Sequence, residues 1–180
     1  MMRALIFAAA LALGACNRET DAVAGCNFEH ADEIAFSRAD APDRIVTRSF
    51  GAACDKAIGL LMIFDADGYP LWTWSAPLAR AFGDAFPEDR PDHMRAFLQS
   101  WAAPVLTTTR TAPAFAELAL GQSTLDQLTY EDIRARDLPM LCHFSGTARQ
   151  TCVFWEPAAG GAGHLLDRDV AEAPTGVSEE

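Results

Sequence analysis

Residues 57–74 read AIGLLMIFDADGYPLWTW. Two apolar runs, rich in β-branched and aromatic residues, flank Asp65-Ala66-Asp67-Gly68. Such residues pack well on a pleated surface, and the Asp/Gly cluster between them supplies a turn. The tetrapeptide fits a type I turn with Gly68 in the left-handed position, which gives a three-residue hairpin loop. Pairing Asp65 with Tyr69 predicts that Leu60, Met62 and Phe64 share a face with Trp72 and Trp74, while Leu61, Ile63 and Leu71 take the other. Both faces are apolar, which predicts a hairpin inside the fold. The Asp-x-Asp-Gly is not a calcium loop, because the twelfth position from Asp65, where an EF-hand places Glu, is Ala76.

Outward from this hairpin the pattern is α+β: antiparallel β-hairpins forming a sheet, with several short helices packed on it. Arg44 to Phe50 alternates and predicts a strand. Leu78, Phe82, Ala85 and Phe86 recur at helical spacing, and Met94, Phe97, Leu98 and Trp101 do so at i, i+3, i+4 and i+7. Pro91 suits the first turn of that second helix and Pro104 its end. Pro113 and Gly121 bracket a further short helix, and Thr129-Tyr130-Glu131-Asp132 resembles a capping box. Near the end of the chain, LPMLCHFSG and TCVFWEP form a second hairpin, with GHLLDRDV as a third strand. Apolar stripes at these periods serve a core, and half of all residues are apolar (50%).

The cysteines decide how this body is held. An even set, Cys26, Cys54, Cys142 and Cys152, with no C-x-x-C pair, is the pattern of two disulfides in an exported chain. Three connectivities are open, and closeness in sequence favours Cys26–Cys54 and Cys142–Cys152. Direct pairing of Cys142 with Cys152 sets His143 against Thr151 and Leu141 against Val153, with Met140, Phe144 and Phe154 on the cysteine face.

The fifth cysteine is of another kind. Met1-Met2-Arg3 carries one positive charge, and Ala4 to Ala15 is an unbroken run of small and apolar residues. The run is too short to span a bilayer and has the layout of a secretory signal. Its end, Leu13-Gly14-Ala15-Cys16, resembles the lipobox of bacterial lipoproteins. That resemblance implies cleavage before Cys16, diacylglycerol on its sulfur and an acyl chain on its amino group. Asn17 in place of Asp implies the outer membrane, facing the periplasm. The expected organisation is a signal at 1–15, a lipidated Cys16 with a tether through 25, a globular domain at 26–170 and an acidic tail at 171–180. Asn17 to Gly25 reaches at most about 32 Å, which keeps the body near the bilayer.

Charge and chemistry narrow the function. The net charge is −11, which argues against nucleic acid as a partner. No two of His30, His93, His143 and His164 stand at i, i+4, so a helical zinc pair is absent. Ser145 lies in HFSGT, which is not a nucleophile elbow, and His143 is two positions away on a strand. Glu29, His30, Asp32 and Glu33 group in NFEHADE, where a solvated face competes with a hard-cation site. Gly160 and Gly161 lack the strand–helix context of a phosphate loop. The expectation is therefore a non-enzymatic binding or interaction module. It is held to the bilayer through acylated Cys16, needs no cofactor or metal, and has an envelope protein as partner. The alternative is a small hydrolase or metal-dependent enzyme using His143 or His30.

Overall fold

The computed structural model describes residues 25–38, 40–86 and 90–170. The signal, Cys16, nearly all of the tether and the acidic tail expected from sequence lie outside these residues.

Two four-stranded antiparallel sheets form the body, where the sequence predicted one. Sheet A is a meander of β1 (Phe28–Ile34), β2 (Asp43–Phe50), β3 (Ile58–Phe64) and β4 (Pro70–Pro77). Helices α1 (Leu78–Phe82) and α2 (Pro91–Trp101) follow. Sheet B is a second meander of β5 (Val105–Thr108), β6 (Pro139–Gly146), β7 (Arg149–Glu156) and β8 (Gly161–Asp169), with α3 (Gln127–Ala135) between β5 and β6. The expected strands Arg44 to Phe50 and GHLLDRDV are β2 and β8. Strands β1 and β5 carried no legible strand signal. They are sheet edges, where charged or short strands resist pairing with other chains.

The first hairpin has the expected turn. The Gly68 N–H donates to the Asp65 carbonyl at 3.0 Å, and Gly68 has φ +88°. The Asp65 carboxylate accepts from the Asp67 and Tyr69 N–H groups at 3.0 and 2.7 Å, so the loop is self-capped. Beyond the turn the predicted register fails. Phe64 pairs with Pro70 but Ile63 pairs with Trp72, leaving Leu71 as a bulge. One extra residue reverses every side chain that follows it. Trp72 and Trp74 therefore lie opposite Ile63 and Leu61, on the buried face, and not with Leu60, Met62 and Phe64. Burial of β3 alternates accordingly, so the hairpin is buried on one side and not on both.

The main core is that buried face. Ile45, Leu61 and Ile63 of sheet A meet Leu141 and Val153 of sheet B, with Met94, Leu98 and Trp101 of α2 between. Gly59 lets Leu78 of α1 pack directly on β3, since a Cβ there would overlap the Leu78 side chain. Aromatic rings fill the seam edge to face, with Trp74–Trp101 centroids at 5.3 Å, Phe82–Phe97 at 4.9 Å and Phe86–Phe97 at 4.7 Å. Each such pair adds about 0.5–1.5 kcal/mol to the burial of its area. The helix predicted across Leu78 and Phe86 stops at Phe82, because Gly83 turns the chain with φ +66°. Phe86 still reaches the core from the following loop.

The second core covers the opposite face of sheet B. Tyr130 and Ile133 of α3 pack with Met140, Cys142, Cys152 and Phe154. The N-cap of α3 is Asp126, not Thr129, because its carboxylate accepts the Thr129 N–H at 3.0 Å. Between Pro113 and Gly121 only a 3-10 turn forms, Phe115–Glu117. So short a segment cannot recover the cost of starting a helix.

Both favoured disulfides are present, Cys26–Cys54 and Cys142–Cys152. The register of β6 with β7 is as predicted, with Cys142 opposite Cys152, His143 opposite Thr151 and Leu141 opposite Val153. Gly146 pairs with Arg149 and Ser145 is an extra residue, so a two-residue turn, Thr147-Ala148, joins the strands.

Candidate functional site

Five polar side chains gather on the inner face of sheet B, where it meets sheet A. The pleat sends His143 of β6 toward β4, and Thr151 stands beside it on β7. Asp167 of β8 pairs with Thr151 in turn. The bulge between Cys152 and Val153 brings His164 into the same group. Arg149 closes it from the start of β7.

His143 is 1% exposed. Its Nε2 accepts from the Trp72 indole Nε1–H at 3.2 Å, and its Nδ1 lies 3.0 Å from the Phe144 carbonyl. A carbonyl only accepts, so Nδ1 carries the proton and the ring is neutral. Burial pushes its pKa down to about 4, against smaller upward pulls from the Phe144 carbonyl and Asp167. Both nitrogens are thus occupied inside the protein, and neither is offered to solvent.

Asp167 is the charged centre of the group. Its carboxylate accepts from Thr151 Oγ1 at 2.7 Å and Arg149 Nη2 at 2.9 Å, and His164 Nε2 lies 3.4 Å away. Burial alone raises its pKa. The bonds from Thr151 and Arg149, with the nearby His164 and Arg149 charges, outweigh that and hold it below the usual value. Every member of the group therefore has a partner, and the arrangement locks β7 to β8 and β6 to β4. Asp167 is held by three contacts at the partly exposed end of the seam, with Arg149 53% exposed, while His143 is closed at its buried end.

The residues singled out from sequence are distributed otherwise. Ser145 Oγ is buried without a hydrogen-bond partner, and the His143 ring bonds Trp72 and Phe144, so the two do not form a nucleophile–base pair. The acidic group on β1 is split by the strand pleat. Glu29 and Glu33 stand opposite Arg48 and Arg44, and His30 and Asp32 point to the other side. Glu29 forms an ion pair with Arg48, its Oε2 2.9 Å from the Arg48 Nε. Among the described residues no three His, Cys, Asp or Glu side chains come together as a metal site.

His30 lines an open cleft of about 450 Å³ with Phe28, Arg95 and Gln99. A second cleft, about 420 Å³, lies beside the Cys26–Cys54 bridge. Arg95 sits over the Phe28 ring at 4.0 Å and belongs to both. Sequence reasoning missed Trp72, Thr151, His164, Asp167 and Arg149 as a group. The correct pairing of β7 with β8 would have joined Thr151 to Asp167. The contact between His143 and Trp72 carries no sequence signal, since it spans two sheets.

No protein-family model matches the sequence, and no curated protein or solved structure matches it.

Proposed function

We propose that the chain is a lipid-anchored lipoprotein of the bacterial cell envelope whose disulfide-stapled body works as a binding or interaction module, not as an enzyme. Acylated Cys16 would hold it to the outer membrane, facing the periplasm, with an envelope protein as partner. The observation that carries this reading is the division of labour among the five cysteines. Four are paired within the folded body, which suits an oxidising compartment. The fifth, Cys16, stands in the lipobox-like Leu13-Gly14-Ala15-Cys16. Two or three acyl chains are a stable anchor, at about 0.8 kcal/mol per buried methylene. The non-enzymatic part is supported by the closed hydrogen bonding of His143 and by the engagement of Asp167 on all sides.

Metabolic labelling with a fatty acid tests the anchor. The native chain is expected to carry label and to fractionate with membranes, and Cys16→Ser to lose both. Label retained on the Ser variant would refute acylation at Cys16.

A further inference from the structure

The outer face of sheet A is apolar along its centre. Ile58, Leu60, Met62 and Phe64 alternate out of β3, with Phe50 opposite Ile58 and Val46 opposite Met62. Val46 is buried beneath this face and Leu60, Met62 and Phe64 are half-buried, whereas Phe50 and Ile58, at its end, are 37% and 48% exposed. Arg44 lies over Phe64 at 5.0 Å and Arg48 over Phe50 at 4.6 Å. Their cross-strand neighbours are Glu33 and Glu29, so the face is close to neutral on a chain of net charge −11. The chain's one lysine, Lys56, is two residues from Ile58; its side chain is 74% exposed and its ammonium lies 3.8 Å from the Asp55 carboxylate.

Where the chain enters the fold gives this face an occupant. The Cys26 N–H donates to the Gly51 carbonyl at 2.8 Å, so the tether joins the body one residue from Phe50. From Cys16 to Cys26 the chain spans at most about 36 Å.

We propose that the Phe50–Ile58 end of this face rests on the surface of the bilayer that holds Cys16. Phe50 and Ile58 enter the headgroup layer, while Arg48 and Lys56 meet lipid phosphates. The proposal rests on acylation of Cys16. Apolar side chains flanked by cations suit a lipid interface, with the cationic heads reaching back to the phosphates. The tether makes the contact intramolecular, so a weak affinity is enough to keep it formed. Elsewhere the acidic surface would be repelled by anionic lipid; the locally neutral face is not.

The test uses the full chain in growing bacteria, with p-benzoylphenylalanine in place of Ile58 or, separately, of Phe50. A control carries the probe in place of Leu128 on α3, which is 85% exposed and lies beyond the far side of sheet B. Fatty-acid labelling is followed in the same cells. Irradiation is expected to add the mass of one phospholipid at positions 50 and 58 and none at 128. A labelled chain whose probes at 50 and 58 capture a protein or a second copy, or capture nothing, would overturn the membrane-facing surface and leave the anchor standing. A chain without label would overturn the anchor, and this face with it.

Discussion

The Trp72 indole on β4 donates its N–H to His143 Nε2 on β6 across 3.2 Å, tying sheet A to sheet B inside the core. Trp72→Phe keeps the ring and removes the donor, which leaves a buried acceptor unpaired. The expected loss is about 1–3 kcal/mol, read from the urea midpoint. Adding His143→Leu should restore part of it, because an unpaired acceptor costs more than an absent one. Strictly additive losses would show that the two side chains are not coupled.

Stability should fall in mild acid. The folded pKa of His143 is pushed down to about 4, against about 6.5 for a free side chain. The unfolded chain therefore binds a proton between these values that the folded chain refuses. His143 contributes its full share above pH 6.5 and loses it as pH falls toward 4, by about 3 kcal/mol in all. Asp167, also lowered, adds a loss at lower pH still. Urea melts from pH 7 to 4 should show the decline, and His143→Gln should flatten its upper part. An unchanged slope in that variant would assign the acid sensitivity elsewhere.

The turn at Gly68 makes an ordered pair of predictions. Open space surrounds its Cα, so only the φ of +88° resists a side chain. Gly68→Val should cost more than the roughly 1 kcal/mol typical of a residue forced left-handed. Ala66→Pro should be nearly neutral, because Pro fits the second position of a type I turn. Thermal melts in the reverse order would rule out this turn.

Asp43 is fully buried and closes the β1–β2 connection by accepting from the Phe36 N–H at 3.0 Å and the Ser37 hydroxyl at 2.6 Å. Asp43→Ala strands these donors and the Ser37 N–H, which also bonds the carboxylate, with an expected loss of about 3 kcal/mol in denaturant melts. A loss within about 0.5 kcal/mol, the range of ordinary surface changes, would mean water replaces the carboxylate.

The disulfides should differ in weight. Their sequence separations are 28 for Cys26–Cys54 and 10 for Cys142–Cys152. Chain entropy assigns about 3.6 and 2.7 kcal/mol respectively. Paired Cys→Ala variants, compared by chemical denaturation, should keep that order. A larger loss for Cys142–Cys152 would show that packing in the second core, and not loop closure, sets the effect.

Local chemistry was enough for much of this molecule. Asp65-Ala66-Asp67-Gly68 dictates its turn because each residue acts within four positions of the next. Cys142 and Cys152 fix the β6–β7 register, since a bridge across a ladder tolerates little slippage. Pro91 starts α2 where its missing N–H does no harm. Tertiary packing decided the rest. The bulge at Leu71 brings Trp72 and Trp74 to the core face, where their large rings have aromatic neighbours, and no periodicity on β4 reports it. The charged β1 became a strand through its ladder with β2, with Phe28 and Ile34 packed against the core and Glu29 ion-paired to Arg48. Two sheets formed in place of one because each meander pairs only within itself, and their apolar faces meet through side chains. His143 is a closed, neutral core residue for the same reason: Trp72, its partner, is distant in sequence, and only the meeting of the two sheets joins them.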